Sequence, residues 1–292
     1  MAEISAAVVK ELRERTGSGM MDCKKALAET GGDMEKAIDY LREKGLAKAD
    51  KKAERTASDG RVFQQVSDDA TLGVLLELNS ETDFVAKTDE FNDLGREITH
   101  QAFENDPHDD VAALLDQKYI RNVDQQVKDL VTAMIAKLGE NIVVKRFARF
   151  TANAGRVFQY IHNNFKVGVL LELSCGAQAA SSEEFNELGH AITMQIAAMN
   201  PLFIKPEDVP PDVLDRERAV YRQQLLDEGK PADRLDKIIE GKLRKYYETS
   251  CLLEQEYIRD SDKKIKNLIA DLNAKLGDTV AVKRFARFAI GE

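Results

Sequence analysis

The 292-residue chain carries 42 lysines and arginines against 51 aspartates and glutamates, a net charge of −9, with 43% hydrophobic and 32% charged residues. That balance describes a soluble globular protein of about two domains, and it argues against non-specific binding of a phosphate backbone, which needs basic patches to release counterions. No apolar run approaches the roughly 20 residues of a membrane span, Met1-Ala2-Glu3-Ile4 opens an amphipathic segment and not a leader, and Cys23, Cys175 and Cys251 have no paired spacing, so a cytoplasmic chain with reduced, packed thiols is expected.

At the start of the chain, Ile4, Val8 and Leu12 recur at helical spacing before a Thr16-Gly17-Ser18-Gly19 break. A second helix is expected over about 21–28, ended by Gly31-Gly32. Asp33 can cap a third, whose stripe is Ala37, Ile38 and Leu41 before Gly45. These three short helices resemble a ubiquitin-associated domain through Gly19-Met20, Ala26-Leu27, Gly31-Gly32-Asp33 and residues 37–41. Residues 48–55 read as a basic linker helix with its charges in water.

Then a segment is written twice. Gly60-Arg61-Val62-Phe63-Gln64 and Gly73-Val74-Leu75-Leu76-Glu77-Leu78 return as Gly155-Arg156-Val157-Phe158-Gln159 and Gly168-Val169-Leu170-Leu171-Glu172-Leu173, 95 positions on in both cases, 155 against 60 and 168 against 73. Each copy opens with an expected β-hairpin, 61–66 with 71–79 and 156–162 with 166–174, turning at Ser67-Asp68-Asp69 and at Asn163-Asn164. A helix follows at Glu90-Phe91-Asn92-Asp93-Leu94-Gly95 and at Glu184-Phe185-Asn186-Glu187-Leu188-Gly189. Helices over 123–138 and 265–276 then lead into strands over 142–150 and 280–288, where Val144, Phe147, Val282 and Phe285 stand among lysines and arginines, as a sheet with one wet face requires.

The last strands, Val144-Lys145-Arg146-Phe147-Ala148-Arg149-Phe150 and Val282-Lys283-Arg284-Phe285-Ala286-Arg287-Phe288, lie 138 positions apart, 282 against 144, so the second copy holds 43 extra residues. They fall between about 205 and 250, with helical composition over 212–227 and 232–248 and a seam of Leu235, Ile238, Leu243 and Tyr246. An antiparallel coiled-coil hairpin accounts for them, and so does a locally packed helix pair.

What both copies keep serves their common fold, and what one copy alone holds is a candidate for function. Between hairpin and helix the first copy reads Asn79-Ser80-Glu81-Thr82-Asp83-Phe84-Val85-Ala86-Lys87-Thr88-Asp89, whereas the second reads Ser174-Cys175-Gly176-Ala177-Gln178-Ala179-Ala180-Ser181-Ser182-Glu183. The fold does not need Thr82, Asp83, Phe84 and Val85. Either Phe84 folds back onto its own core, a burial worth about 1.5–3 kcal/mol, or it is a wedge presented to a partner protein.

The segment 82–87, together with Val9-Lys10-Glu11-Leu12-Arg13-Glu14-Arg15-Thr16-Gly17-Ser18-Gly19-Met20-Met21-Asp22-Cys23-Lys24-Lys25-Ala26-Leu27 and Phe203-Ile204-Lys205-Pro206-Glu207, resembles the bacterial elongation factor Ts family over essentially the whole chain. The resemblance implies a guanine-nucleotide exchange factor that meets elongation factor Tu in its GDP-bound and nucleotide-free states, with no cofactor, no metal and no direct nucleic acid of its own. It implies that Thr82, Asp83, Phe84 and Val85 dislodge the partner's magnesium, and that Arg13, Met20 and Met21 touch another face of the partner's G domain. Some members continue into a further helix beyond the last strand, where this chain reads Gly291-Glu292, so that contact is not expected. The expected architecture is α+β: a ubiquitin-associated-like module and linker over 1–55, core repeat one over 56–152, and core repeat two over 153–292 with the coiled-coil insertion at about 208–250.

Enzyme signatures are missing from the sequence: there is no Gly-x-x-x-x-Gly-Lys-Ser/Thr loop, no His-Glu-x-x-His and no Gly-x-Ser-x-Gly. His100, His108, His162 and His190 are isolated, and Asp109-Asp110 beside His108 reads as a polar helix start more readily than as a metal site. An RNA-binding module using Arg146, Arg149, Arg284 and Arg287 is the remaining rival, against a solvated sheet face shared by both copies.

Overall fold

The computed structural model describes residues 4–108, 110–162 and 164–292. The readings placed on Met1-Ala2-Glu3, on Asp109 and on Asn163 lie outside the described residues. The fold is α+β. Helices α1 (Ala6–Thr16), α2 (Met20–Glu29) and α3 (Met34–Asp50) open the chain. Ser5 caps α1 by accepting from the Val8 amide, and Gly17 ends it at φ 65°, a left-handed turn that glycine adopts without a Cβ penalty. Val9, Leu12, Cys23, Ala26, Leu27, Ala37 and Leu41 form the small core of this module.

Repeat one follows as β1 (Asp59–Val66), β2 (Leu72–Ser80), α4 (Asp83–Ala86), α5 (Asp89–Glu104), α6 (Val111–Asp116), β3 (Lys118–Tyr119), β4 (Asn122–Gln126), α7 (Val127–Leu138) and β5 (Ile142–Thr151). Repeat two is β6 (Arg156–Ile161), β7 (Val167–Ser174), α8 (Ala177–Ala180), α9 (Glu183–Met199), then α10 (Pro211–Asp227) and α11 (Leu235–Ser250), then β8 (Glu256–Tyr257), β9 (Asp260–Lys264), α12 (Ile265–Leu276) and β10 (Ala281–Ala289). Each repeat builds an antiparallel three-stranded sheet, β1-β2-β5 and β6-β7-β10. The registers match, with Phe63 opposite Leu76 and Phe158 opposite Leu171.

Alternation along the strands gives each sheet two apolar faces. Phe63, Leu76 and Leu78 point at α5 and α7, whose Phe91, Ile98 and Ile135 complete the core of repeat one. Phe158, Leu171 and Leu173 do the same with Phe185, Ile192 and Ile269. The opposite faces meet each other: Val62, Leu75 and Phe150 of one sheet pack with Val157, Leu170 and Phe288 of the other. The expectation of one wet sheet face is therefore corrected, because the second repeat supplies the cover.

Two pairs of repeated glycines make this packing possible. A methyl group on Gly73 would lie 2.7 Å from Val157 Cγ1, and one on Gly168 would lie 2.5 Å from Val62 Cγ1, so the sheets are closest where neither has a side chain. Gly95 and Gly189 likewise leave room on their helices for the rings of Phe63 and Phe158. The hairpin turns interlock as well. The amide of Val62 donates to Phe165 O at 2.9 Å and that of Val157 to Ala70 O at 2.7 Å, an exchange that follows the internal two-fold of the duplication.

The repeated arginines belong to that interface. Arg146 Nε donates to Glu77 at 2.6 Å and its guanidinium lies 4.5 Å from the Phe288 ring centroid. Arg284 Nε donates to Glu172 at 2.6 Å and lies 4.3 Å from the Phe150 ring. Each repeat thus stacks its arginine on the other's phenylalanine. Arg149 and Arg287 reach the Phe103 and Ala197 carbonyls. All four side chains therefore make contacts within the fold.

Other departures are local. Helix α3 does not stop at Gly45, which is buried against Ala136 and Thr132 of α7, so the linker begins only after Asp50 and the first module docks on repeat one. The small hairpins β3–β4 and β8–β9 were not expected. Each satisfies a buried helical glutamine: Ile120 N donates to Gln101 Oε1 and Ile258 N to Gln195 Oε1, both at 2.9 Å. Asp110 caps α6 through the Ala112 amide, in keeping with a polar helix start. Helices α10 and α11 run antiparallel, tied by Arg222 to Asp236 and by Lys242 over the Tyr221 ring, with Leu225, Leu235, Ile239 and Leu243 between them. The seam thus runs through Ile239, with Ile238 at its edge. All three cysteines are free and buried, and burial pushes the Cys251 thiol up to about 11.

Candidate functional site

The segment unique to repeat one forms a single helical turn, α4, at the corner between β2 and α5. Ala86 is buried and Val85 packs on the core of repeat one, so the turn has an apolar foot. Phe84 points the other way. It is 79% exposed, the most exposed large apolar side chain among the described residues, so it does not fold back onto its own core. An aromatic ring held in water forgoes the free energy that burial would give it, and nothing among the described residues covers it.

The corner that carries the ring is closely held. Thr82 caps α4 with Oγ1 accepting from the Val85 amide. Thr82 N and Thr82 Oγ1 both donate to the Glu140 carboxylate, at 3.0 and 2.7 Å, and Ser80 Oγ donates to Thr82 O at 2.9 Å. Thr88 caps α5 directly afterwards, and Asn92 Nδ2 donates to Thr88 O at 2.6 Å. Next door, Asn141 N donates to Glu81 Oε1 at 2.7 Å, while Asn141 Nδ2 donates to Arg55 O at 2.8 Å, tying the end of the linker to the same corner.

Asp83 is half exposed beside Phe84. Lys87 Nζ, 2.6 Å from Asp83 Oδ2, holds that carboxyl below the usual carboxylate range through its hydrogen bond and charge, with a further contribution from Lys166 of repeat two. Asp83 is therefore an anion at neutral pH, set beside an exposed ring. Such a pair can fill an apolar slot and accept a hydrogen bond at its rim.

Arg13, Met20 and Met21 lie on a different element. Met20 and Met21 open α2 with 57% and 75% of their surface exposed, and Arg13 is exposed in the last turn of α1. The loop between them is pinned by Ser18 N donating to Thr16 Oγ1 and by Thr16 Oγ1 donating to Leu12 O. The two methionines make a second exposed apolar spot, carried by the first module and not by repeat one.

Glu140 is not among the residues that sequence pattern singles out. A signal for it was present: Leu138-Gly139-Glu140 and Leu276-Gly277-Asp278 are equivalent, each an acid directly after a helix-ending glycine in the left-handed region. Asp278 accepts from the Gly176 and Ala179 amides, both at 2.9 Å, and so grips α8 as Glu140 grips Thr82.

The family model for elongation factor TS matches residues 81–292. The chain is 45% identical over 289 residues to elongation factor Ts of Clostridium novyi (strain NT), covering 99% of this chain and 93% of that relative. It is 44% identical over 290 residues to that of Trichlorobacter lovleyi, with 99% and 93% covered, and 44% identical over 294 residues to that of Symbiobacterium thermophilum, with 100% and 93% covered.

Proposed function

The chain belongs to the elongation factor Ts family, and from that premise we propose that it is a cytoplasmic guanine-nucleotide exchange factor for elongation factor Tu in protein synthesis. The observation that carries the reading is Phe84, an exposed ring on a clamped corner that the second copy lacks. In this reading the chain performs no covalent chemistry and binds no cofactor. It lowers the partner's hold on GDP by binding the nucleotide-free form more tightly.

A GTPase holds GDP through phosphate-loop amides and a magnesium ion. Phe84 inserts between helices of the G domain while Asp83 makes a polar contact at the rim, with Thr82 and Val85 fixing the corner. The shift displaces magnesium and loosens the phosphate loop. Arg13, Met20 and Met21 hold the partner from the first module. By linkage, the factor by which this chain weakens GDP equals the factor by which GDP weakens this chain, so a hundredfold effect needs about 2.7 kcal/mol of coupling.

The same reading takes residues 1–55 as a ubiquitin-associated-like module and linker, 56–152 and 153–292 as the two core repeats, and the pair α10–α11, about 208–250, as a coiled-coil arm. It assigns the chain no direct nucleic-acid partner, which the engagement of Arg146 and Arg284 inside the fold supports. Also, no helix among the described residues is long and apolar enough to cross a membrane. The test is release of a fluorescent GDP analogue from elongation factor Tu with catalytic amounts of this chain. Acceleration with many turnovers per molecule is expected, and an unchanged release rate would overturn the reading.

A further inference from the structure

We propose that Glu140 is the positioning residue of the exchange site, an inference that rests on the reading of Phe84 as the inserted side chain. Glu140 sits half-buried directly after α7, where Gly139 ends the helix at φ 83° and turns the chain toward the corner. Its carboxylate receives both donors that Thr82 has, the amide at 3.0 Å and the hydroxyl at 2.7 Å. A charged acceptor taking two converging donors fixes direction as well as distance. With Thr82 Oγ1 also capping α4, the chain from Glu140 to the Val85 amide leaves the first turn of α4 one orientation, and Phe84 lies within that turn.

The duplication supplies the control. Asp278 holds the equivalent corner of repeat two by taking the amides of Gly176 and Ala179 directly, so an acid at this place is part of the inherited corner. In repeat one the acid has one more carbon and holds Thr82 by its side chain as well as its backbone. The longer clamp stands where the corner carries an exposed ring. Asn141, the next residue, binds Arg55 O and Glu81 at the end of the linker, so the support of the corner continues toward the first module. A ring that must enter a slot between helices gains from such a support, because displacing a reacting or wedging group by about 1 Å is enough to cost up to a hundredfold.

The experiment compares the full-length wild type, Glu140→Ala, Glu140→Gln, Phe84→Ala and the double variant Glu140→Ala/Phe84→Ala. Glu140→Gln keeps the shape but presents one donor where Thr82 also donates. Two readouts are taken: amide hydrogen exchange at Thr82 and Val85 in the free protein, and the concentration dependence of fluorescent GDP release from elongation factor Tu. The expected result is faster exchange of the Thr82 amide in both Glu140 variants, a maximal release rate lowered about tenfold, a half-saturating concentration changed less than the rate, and no additional loss when Glu140→Ala is placed on Phe84→Ala. A role confined to folding stability would give additive losses in the double variant, and that outcome overturns the proposal. So does an unchanged Thr82 amide, or full release activity in both Glu140 variants while Phe84→Ala is impaired. Should Glu140→Ala fail to fold, Glu140→Gln carries the same comparison. A wild type that leaves GDP release unaccelerated overturns the exchange reading itself, and the Thr82 amide data still decide whether Glu140 holds the corner.

Discussion

The corners at α4 and α8 are the same device built twice, and they differ in what they carry. Both follow the middle strand of a three-stranded sheet, both are gripped by an acid placed after a helix-ending glycine, and both rest an apolar foot, Val85 or Ala179, on the core beneath. At the position of Phe84, two places into each cap-and-turn, repeat two has the exposed polar Gln178. Within one chain, then, evolution kept the support and varied the cargo. A feature that both copies share is needed by the fold, and the exposed ring is not.

The largest expected effect is on the cargo. Phe84→Ala should lower accelerated GDP release about a hundredfold, near 2.7 kcal/mol, while changing folding stability by less than about 0.5 kcal/mol, since surface substitutions outside a supporting contact are near neutral. A urea melt beside the release assay checks both halves. Next comes the shared frame. Arg146→Ala leaves Glu77, whose side chain is fully buried, without its closest cation, and should destabilise by about 2–4 kcal/mol. Arg284→Ala exposes Glu172, which keeps 12% of its side-chain surface in water, and should cost about 1–2 kcal/mol. Equal losses would deny that burial sets the difference between the copies.

A smaller effect concerns the grip on α8. Hydrogen bonds from the Ala179, Thr279 and Gly176 amides hold the Asp278 carboxyl below its ordinary value of 3.8. A depressed folded-state value means that this grip is complete above 3.8 and is lost as pH falls through the lower folded value. Amide shifts of Gly176 and Ala179 followed on acidification should stay constant to about pH 4 and move only below it. The smallest effect sharpens the comparison from the other side. Gln178→Phe places a ring on the second corner, and it should change GDP release by less than about twofold and fail to restore Phe84→Ala, because that corner lacks the neighbouring Asp83–Lys87 pair and faces elsewhere on the molecule.

Much of this architecture was legible in the residues. The repeated Gly-Arg-Val-Phe-Gln hairpins, the Glu-Phe-Asn-x-Leu-Gly helix starts and the amphipathic α12 carry strong periods, and they fold where those periods point. The hairpins β3–β4 and β8–β9 carry no apolar alternation, since their role is to satisfy Gln101 and Gln195. Strand alternation told which residues face a core, and could not tell that a second core lies on the opposite face, since that depends on Gly73 and Gly168 letting the sheets approach. At the site, the comparison of copies singled out residues 82–85. Whether Phe84 was buried, and that Glu140 reaches it through Thr82, depended on contacts across 58 residues of chain, beyond what local spacing encodes.

The most direct test of the account is the affinity of this chain for elongation factor Tu in two states, nucleotide-free and GDP-bound, measured by isothermal titration for the wild type and for Phe84→Ala. The account predicts that the wild type prefers the nucleotide-free partner by about a hundredfold, and that Phe84→Ala loses most of that preference while still binding both forms. Equal affinities in the wild type, or a preference that survives removal of the ring, would contradict it.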